Sequence, residues 1–166
     1  MNRRPAPDVD GAMKTISISR ALGCAYAACA VVAGLTGGQG TANADDPDAP
    51  IMAEQTGDLG DIVVDAHGMT VYAFEGDIAD TSGCQGQCLK NWPIVAAPET
   101  VPASVTGVEG QLGVFVRPGG ARQLTLDFHP LYTFIQDTTS GQHNGVGKNL
   151  GGFRWGVVLA DGEPRY

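Results

Sequence analysis

The chain has 166 residues, with 10 basic and 18 acidic side chains and a formal net charge of −8. This length favours one domain. The acidic balance argues against binding to nucleic acid or to anionic lipid, because such binding depends on Lys and Arg. It is compatible with solubility outside the cytoplasm and with attraction of cations, and it does not separate the two.

The first 44 residues are predicted to be a secretory signal peptide. Four basic residues precede or border an apolar run over residues 21–35, and Ala42-Asn43-Ala44 follows as a cleavage motif. The alternative is a retained membrane helix, but the run is shorter than the ~20 residues that span a bilayer. The mature chain would begin near Asp45, and Met13 is an alternative start of translation.

Lipid anchoring would require a cysteine at the cleavage point. Cys24 and Cys29 lie inside the apolar run instead, so we expect a secreted or periplasmic protein without a lipid anchor and without a stable transmembrane segment after cleavage. Four of the 10 basic residues but only two of the 18 acidic residues precede the cut. The mature chain would therefore carry a net charge of about −10.

Two cysteines remain in the mature chain, and they are predicted to form a structural disulfide. Cys84 and Cys88 are an even pair in an exported chain, and Gly86 between them allows the tight loop that a bridge requires. The C-x3-C spacing matches neither a thioredoxin-like redox site nor a haem attachment site. Metal or redox use of the pair is the alternative.

The mature chain is predicted to be a short tether followed by an all-β domain. Residues 45–58 are polar and contain proline, which favours a tether with little order. Residues 59–166 lack helical periodicity, and the 24 glycines and 10 prolines of the chain suit turns better than helices.

The first hairpin of the domain is predicted from alternating apolar residues. Residues 61–66 alternate, His67-Gly68 forms a turn, and residues 69–74 resume the alternation. Because successive side chains of a strand point to opposite faces, Tyr72 and Phe74 lie on the same face.

The second half of the domain has a similar pattern. Residues 112–128 read as a hairpin with Pro118, Gly119 and Gly120 at its tip, and His129-Pro130 reads as the next corner. Residues 131–135 and 153–160 follow as strands that are rich in β-branched and aromatic residues. The fold class is therefore all-β.

The motif Tyr-x-Phe-x-x-Asp occurs twice in the chain. A tryptophan follows each copy, which indicates two β units, at about residues 59–96 and 112–162. A unit of this size cannot bury its own apolar face, so we expect the two to pack on each other. The motif residues are Tyr72, Phe74 and Asp77 in the first unit and Tyr132, Phe134 and Asp137 in the second.

At these residues the chain resembles a family of secreted tandem repeats of unknown function, usually described as predicted lipoproteins with a Y-x-[FWY]-x-x-D motif. The segment GCQGQCLKNWP, residues 83–93, is similar to the cysteine block of that family. The chain departs from the family at Ile94, where a second proline is common, at Gln142, where an aspartate is expected, and in the missing lipid-anchoring cysteine. The resemblance implies an exported bacterial protein and no established activity.

The motif carboxylates have a functional and a structural interpretation. In the functional one, Asp77 accepts a hydrogen bond from Tyr72 and Asp137 from Tyr132, which would polarise two phenols with pKa values near ~10. In the structural one, the rings fill the core and each aspartate begins a turn that satisfies loop amides. The turn-like sequence after each aspartate favours the structural interpretation.

Metal binding and catalysis have weaker support. Asp77, Asp80 and Ser82 are spaced like calcium ligands but lack the further acidic ligands of an EF-hand loop. The three histidines and Met69 are not in ligand-spaced pairs. The chain has no G-x-S-x-G elbow and no phosphate-binding loop. We expect no cofactor and no enzymatic activity.

Three hypotheses follow for the function. The first is a non-catalytic envelope or secreted binding module, whose ligand lies on a face built by both repeats and whose partner is unidentified. The second is a periplasmic metal or redox accessory protein, which would contain metal or colour, or in which Cys84 and Cys88 would change oxidation state. The third is a hydrolase, which has the least support in the sequence.

Overall fold

The structure is a computed structural model, and it describes residues 41–42, 48–79 and 81–166. Nearly all of the predicted signal peptide therefore lies outside the described residues. The elements are β1 (Thr41–Ala42), β2 (Ile51–Thr56), β3 (Gly60–Asp65), β4 (Tyr72–Phe74), α1 (Cys88–Asn91), β5 (Ser104–Val105), β6 (Leu112–Val116), β7 (Arg122–Leu126), β8 (His129–Pro130), β9 (Asn149–Leu150), β10 (Phe153–Val158) and β11 (Pro164–Arg165).

The described residues confirm the all-β class. Helix α1 has only four residues and ends where the Trp92 amide donates to the Cys88 carbonyl at 2.9 Å. A single turn is too short to produce helical periodicity in a sequence, which explains why no helix was expected. No helix in the described ranges is long and apolar enough to cross a membrane.

The predicted tether over residues 45–58 was wrong for β2. This strand pairs antiparallel with β3, in unbroken register from Ile51↔Asp65 to Thr56↔Gly60. Ile51 is fully buried, whereas most of the other β2 residues are only partly covered. A strand with a single fully buried residue can contain several polar residues, so the composition of this segment did not indicate a strand. Strand β1 pairs in parallel with β5, and a chain cut after Ala44 would lack it.

The second predicted hairpin is present with its following corner displaced, and the first is paired only near its turn, because β4 pairs with β10 and not with β3. In the first, the Asp65 amide donates to the Met69 carbonyl at 2.8 Å across the turn. In the second, β6 pairs with β7 around the predicted tip. The following corner lies at Asp127 and Phe128, which both have positive φ, rather than at His129-Pro130, which forms β8. Asp is among the residues that tolerate a positive φ, but Phe rarely adopts it, so the sequence did not indicate a corner at Phe128.

The two repeats meet on a local pseudo-twofold axis between Tyr72 and Tyr132. The Tyr72 amide donates to the Tyr132 carbonyl at 2.8 Å, and the Tyr132 amide donates back to the Tyr72 carbonyl at 2.9 Å. This reciprocal pair is the hydrogen-bonded pairing of antiparallel strands. We refer to residues 70–74 and 131–135 as the first and second motif strands.

Each motif strand pairs with the tryptophan segment of the other repeat. Strand β4 pairs with β10, where Phe74 lies opposite Trp155. In the second motif strand, the amides of Thr133 and Ile135 donate to the carbonyls of Pro93 and Asn91. The repeats are therefore intertwined, which is a closer association than the packing that the sequence predicted.

The paired strands separate two hydrophobic cores. The alternation of side chains sends Val71 and Ala73 to an aliphatic core and Tyr72 and Phe74 to an aromatic core, as expected from the sequence. Burial on both faces explains why the central strands are apolar at nearly every position. The buried members of the aromatic core are Ile62, Val64, Tyr72, Phe74, Cys84, Trp92, Tyr132, Phe134, Trp155 and Val157.

The intertwining predicts that neither repeat folds alone. If the chain is cut between the exposed residues Glu99 and Thr100, each fragment keeps one motif strand but loses the tryptophan segment that pairs with it. We expect each fragment to lack near-ultraviolet circular dichroism, and an equimolar mixture to recover the spectrum of the intact protein. Cooperative unfolding of either fragment on its own would contradict the exchange of segments.

Candidate functional site

Four aromatic rings form a continuous stack at the centre of the aromatic core. Trp92 and Trp155 lie parallel, with ring centroids 3.7 Å apart and an interplanar angle of 4°. Phe134 stacks on Trp92 at 4.3 Å, and Phe74 stacks on Trp155 at 4.6 Å. The order Phe134, Trp92, Trp155, Phe74 is itself pseudo-symmetric, so each repeat supplies one tryptophan and one phenylalanine.

The two motif tyrosines contact this stack with their edges. Tyr72 meets Trp92 at a centroid distance of 5.3 Å and Tyr132 meets Trp155 at 5.1 Å, both in T-shaped geometry. Such pairs stabilise a core by about 0.5 to 1.5 kcal/mol each beyond the burial of their area. Each tyrosine therefore has a tryptophan neighbour in an equivalent position.

The first tyrosine is hydrogen-bonded to the carboxylate of the second motif. The Tyr72 hydroxyl donates to Asp137 Oδ2 at 2.5 Å. The other oxygen, Asp137 Oδ1, accepts from the Asn144 amide at 2.8 Å and from its side chain at 3.0 Å. The Tyr72 oxygen in turn accepts from the Gly145 amide at 3.2 Å. Gly145 is needed here because a Cβ atom would lie 2.8 Å from the rings of Tyr72 and Trp92.

The second tyrosine is hydrogen-bonded to the carboxylate of the first motif. The Tyr132 hydroxyl donates to Asp77 Oδ2 at 2.7 Å, and Asp77 Oδ1 accepts from the Gly83 amide at 2.8 Å. Ser82 Oγ lies 2.6 Å from the Tyr132 oxygen. Because the phenol proton is already donated to Asp77, Ser82 is the donor in this contact. Both phenols thus donate one bond and accept one.

The structure corrects the pairing in the functional interpretation of the motif. Tyr72 and Asp77 of one copy are not partners, and each tyrosine bonds to the aspartate of the other copy. The sequence placed each pair five residues apart, and it held no sign of the exchange. The structural interpretation is supported as well, since both carboxylates also satisfy loop amides at the ends of their strands.

Arg117 is a member of this network that the sequence did not reveal. It is buried, and its guanidinium donates to Gln123 Oε1 at 2.5 Å, to the Cys84 carbonyl, and at 3.5 Å to Ser82 Oγ. Arg117 lies in the β6–β7 turn, where a charged residue is ordinarily exposed, so its position gave no signal. It makes the surroundings of Tyr132 differ from those of Tyr72.

The predicted disulfide is present and holds the loop of this network. Cys84 and Cys88 are bridged, with their Cα atoms 5.3 Å apart. Cys84 is buried in the aromatic core, and its backbone contacts Ser82 and Arg117. The bridge therefore fixes one end of the hydrogen-bonded chain from Arg117 to Asp77.

Burial controls the protonation of the motif groups. Desolvation raises the pKa of Tyr72 well above its ordinary value, and the hydrogen bond to Asp137 adds to the effect. Desolvation, with the negative charge of Asp77, raises the pKa of Tyr132 to about 12. Desolvation also raises the pKa of Asp77, against the lowering effect of its hydrogen bond from Tyr132. At neutral pH both phenols hold their protons.

A groove opens beside the aromatic stack, and both repeats line it. Its volume is about 300 Å³, and Trp92, Phe134 and Trp155 belong to its lining with 5%, 5% and 1% of their surface exposed. Ile135 and Leu150 stand on its rim with 57% and 41% of their surface exposed. The other lining residues are Cys88, Asn91, Gln136, Lys148 and Asn149.

Two polar groups distinguish this groove. The Lys148 ammonium lies 5.6 Å from the centroid of the Phe134 ring, at cation–π distance. Within the described ranges, Trp155 Nε1 is the one buried side-chain nitrogen or oxygen atom without a hydrogen-bond partner. A buried donor without an acceptor costs about 1 to 3 kcal/mol, so such atoms are rare in proteins.

The described residues that were weighed as metal ligands do not form a ligand group of the usual kind. His143 contacts Asp58 at 3.2 Å in an exposed pair. Among the described residues, no group of three His, Cys, Asp or Glu side chains is arranged to hold a metal ion. Asp80, one of the residues weighed for calcium, lies outside the described residues.

The comparison with protein families agrees with the twofold architecture. A family described as a secreted repeat of unknown function matches residues 55–96 and 113–158, which together exceed half of the chain. The chain belongs to this family. The resemblance noted from the motif is thereby confirmed, and each matched segment of the secreted repeat contains one Tyr-x-Phe-x-x-Asp motif and one tryptophan. No curated protein and no solved structure matches the chain.

The exchanged pairing predicts a specific pattern of energetic coupling. In double-mutant cycles, Tyr72→Phe with Asp137→Asn and Tyr132→Phe with Asp77→Asn should show coupling energies of about 1 to 3 kcal/mol, because each pair shares a buried charged hydrogen bond. The matched control combines Tyr72→Phe with Asp77→Asn and should be nearly additive. Urea unfolding of the single and double variants measures these energies. Strong coupling only within each motif would contradict the structure.

The raised phenol pKa values predict a loss of stability in alkali. The ordinary tyrosine pKa is 10.0 and that of folded Tyr132 is about 12. Below pH 10 the contribution of this tyrosine is complete. Between pH 10 and 12 the unfolded chain releases the phenol proton before the folded chain does, so the free energy of unfolding falls.

Unfolding in urea and phenolate absorbance, both followed from pH 8 to 12, test this expectation. The Tyr132→Phe variant should lose part of the decline above pH 10. An equal decline in this variant and in the unaltered protein would exclude Tyr132 as its source.

Proposed function

We propose that this secreted repeat protein is a non-catalytic binding module, and that its ligand occupies the groove beside Trp92 and Phe134. The observation that carries the proposal is the aromatic lining of the groove with the Lys148 ammonium above it. A concave site with an apolar lining and few polar groups is the usual form of a small-molecule site.

The state of the motif residues supports binding over catalysis. Tyr72 and Tyr132 are fully buried, and their oxygen atoms are engaged in hydrogen bonds within the protein. A general acid or base has to reach the reacting group of a substrate within hydrogen-bond distance. These phenols instead position the rings that form the floor of the groove.

The arrangement of the groove indicates the chemistry of its ligand. The Trp92 and Phe134 rings suit a planar apolar group, and the exposed side chains of Ile135 and Leu150 can cover its edges. Lys148 suits a negative charge on that group. The chain as a whole carries −8, but salt screens distant charges beyond about 8 to 10 Å, so the nearby ammonium dominates.

The location of the protein follows from its family in coarse terms, and we propose the finer assignment. The chain belongs to a secreted family, which is consistent with a location outside the cytoplasm. A bacterial envelope or periplasmic protein, processed after Ala44 and free of a lipid anchor, is in keeping with a cysteine-free cleavage motif. Its ligand or partner would then be an envelope or extracellular compound.

Binding of anilinonaphthalene sulfonate, a planar apolar anion, tests the groove. We expect one saturable site per chain, with dissociation constants raised about tenfold or more, or ~1.4 kcal/mol, by Lys148→Glu and by Ile135→Asp. Lys90→Glu makes the same charge change at an exposed position outside the groove lining and should bind like the unaltered protein.

The outcomes of this titration distinguish a specific binding site from nonspecific binding of the probe. All variants are first compared by near-ultraviolet circular dichroism, because the probe also binds partly unfolded chains. Native protein without a saturable site, or equal affinity in Lys148→Glu and Lys90→Glu, would refute the groove as the ligand site.

A further inference from the structure

We propose that the aromatic core is also a proton-coupled redox relay, in which Tyr72 and Tyr132 donate electrons to the stacked Trp92–Trp155 pair after a one-electron oxidation. This proposal goes beyond ligand binding and does not depend on it. It rests on the geometry of the stack, on the carboxylate beside each phenol, and on the groove next to the two tryptophans.

The stack provides a short path for an electron. The two indoles are parallel with centroids 3.7 Å apart, so a positive charge formed on either is shared by both rings. Tyr72 lies 5.3 Å from Trp92 and Tyr132 lies 5.1 Å from Trp155, measured between centroids. Every step of the path is therefore a contact between neighbouring rings.

Each phenol also has a base for its proton. Oxidised tyrosine is a strong acid. The radical therefore stays on the tyrosine only if the phenol proton can leave. Asp137 Oδ2 and Asp77 Oδ2 accept the phenol hydrogen bonds at 2.5 Å and 2.7 Å. The proton thus moves along an existing hydrogen bond, without a change in the positions of the heavy atoms.

The step balances in charge and atoms. An oxygen-centred radical such as a peroxyl radical takes one electron from the tryptophan pair and becomes a peroxide anion, which water protonates to a hydroperoxide. The pair, now a radical cation, takes one electron from a tyrosine. The O–H bond of that phenol breaks, its proton goes to the carboxylate, and a neutral tyrosyl radical and a carboxylic acid remain. The oxidant approaches the pair from the groove, where Trp92 and Trp155 are 5% and 1% exposed, and the electron crosses this thin cover.

The two branches are not equivalent. Asp137 has the shorter hydrogen bond, 2.5 Å against 2.7 Å. We therefore expect the pair of Tyr72 and Asp137 to carry the larger share of the tyrosyl radical.

Pulse radiolysis with the azidyl radical, which oxidises tryptophan in one-electron steps, tests the relay in the full chain. The chain has two tryptophans in all, so the tryptophan radical signal reports this pair alone. We expect it to decay into a tyrosyl radical at a rate that is independent of protein concentration and slower in heavy water. Asp137→Asn should slow the decay about twofold or more, since it removes the base of the Tyr72 branch and leaves only the Tyr132 branch.

Tyrosine variants identify the donors. The double variant Tyr72→Phe/Tyr132→Phe should keep its tryptophan radical longer and lose the tyrosyl signal that grows in as the tryptophan radical decays. Tyr166→Phe removes a half-buried tyrosine outside the two pairs and should behave like the unaltered protein. Equal tryptophan radical lifetimes in the double variant and the unaltered protein would overturn the proposal. If Asp137→Asn fails to fold, a decay unchanged in heavy water would still overturn the proton transfer.

Discussion

The reciprocal hydrogen bonds between Tyr72 and Tyr132 are the constraint on which the rest of the structure depends. Their backbones exchange two bonds across the pseudo-twofold axis, and both side chains enter the aromatic core, each directed toward the other repeat. Each hydroxyl therefore lies at the loop of the other repeat, where it donates a hydrogen bond to an aspartate. One antiparallel pairing thus sets the partners of both buried phenols and both carboxylates.

The same exchange explains the order of the aromatic stack. Because each motif strand pairs with the tryptophan segment of the other repeat, Trp92 and Trp155 approach the axis from opposite sides and meet face to face. A duplicated unit that packed without exchange would leave each tryptophan on its own phenylalanine. In the intertwined arrangement both repeats contribute rings to the stack, and both contribute lining residues to the groove beside it.

The local elements were largely predictable from the sequence, and the exchange was not. Alternation gave the two faces of residues 69–74, and the glycine-containing turns gave both hairpins, since these depend on neighbours in the chain. The pairing of Tyr72 with Asp137 spans 65 residues, and no local pattern encodes it. Strand β2 and buried Arg117 were missed for the related reason that tertiary contacts override composition.

The departures from symmetry indicate where function can be separated from folding. Arg117 and Ser82 occur beside Tyr132, whereas the backbone of Gly145 takes the corresponding position beside Tyr72. Two equivalent halves are sufficient for folding, as the pseudo-symmetric stack of rings shows. A buried guanidinium costs free energy unless it is fully hydrogen-bonded, and its three acceptors here fix the disulfide loop next to Asp77. The second tyrosine is thus held in a charged and bridged environment, whereas the first is held by the shorter hydrogen bond to its carboxylate and by the backbone amide of Gly145.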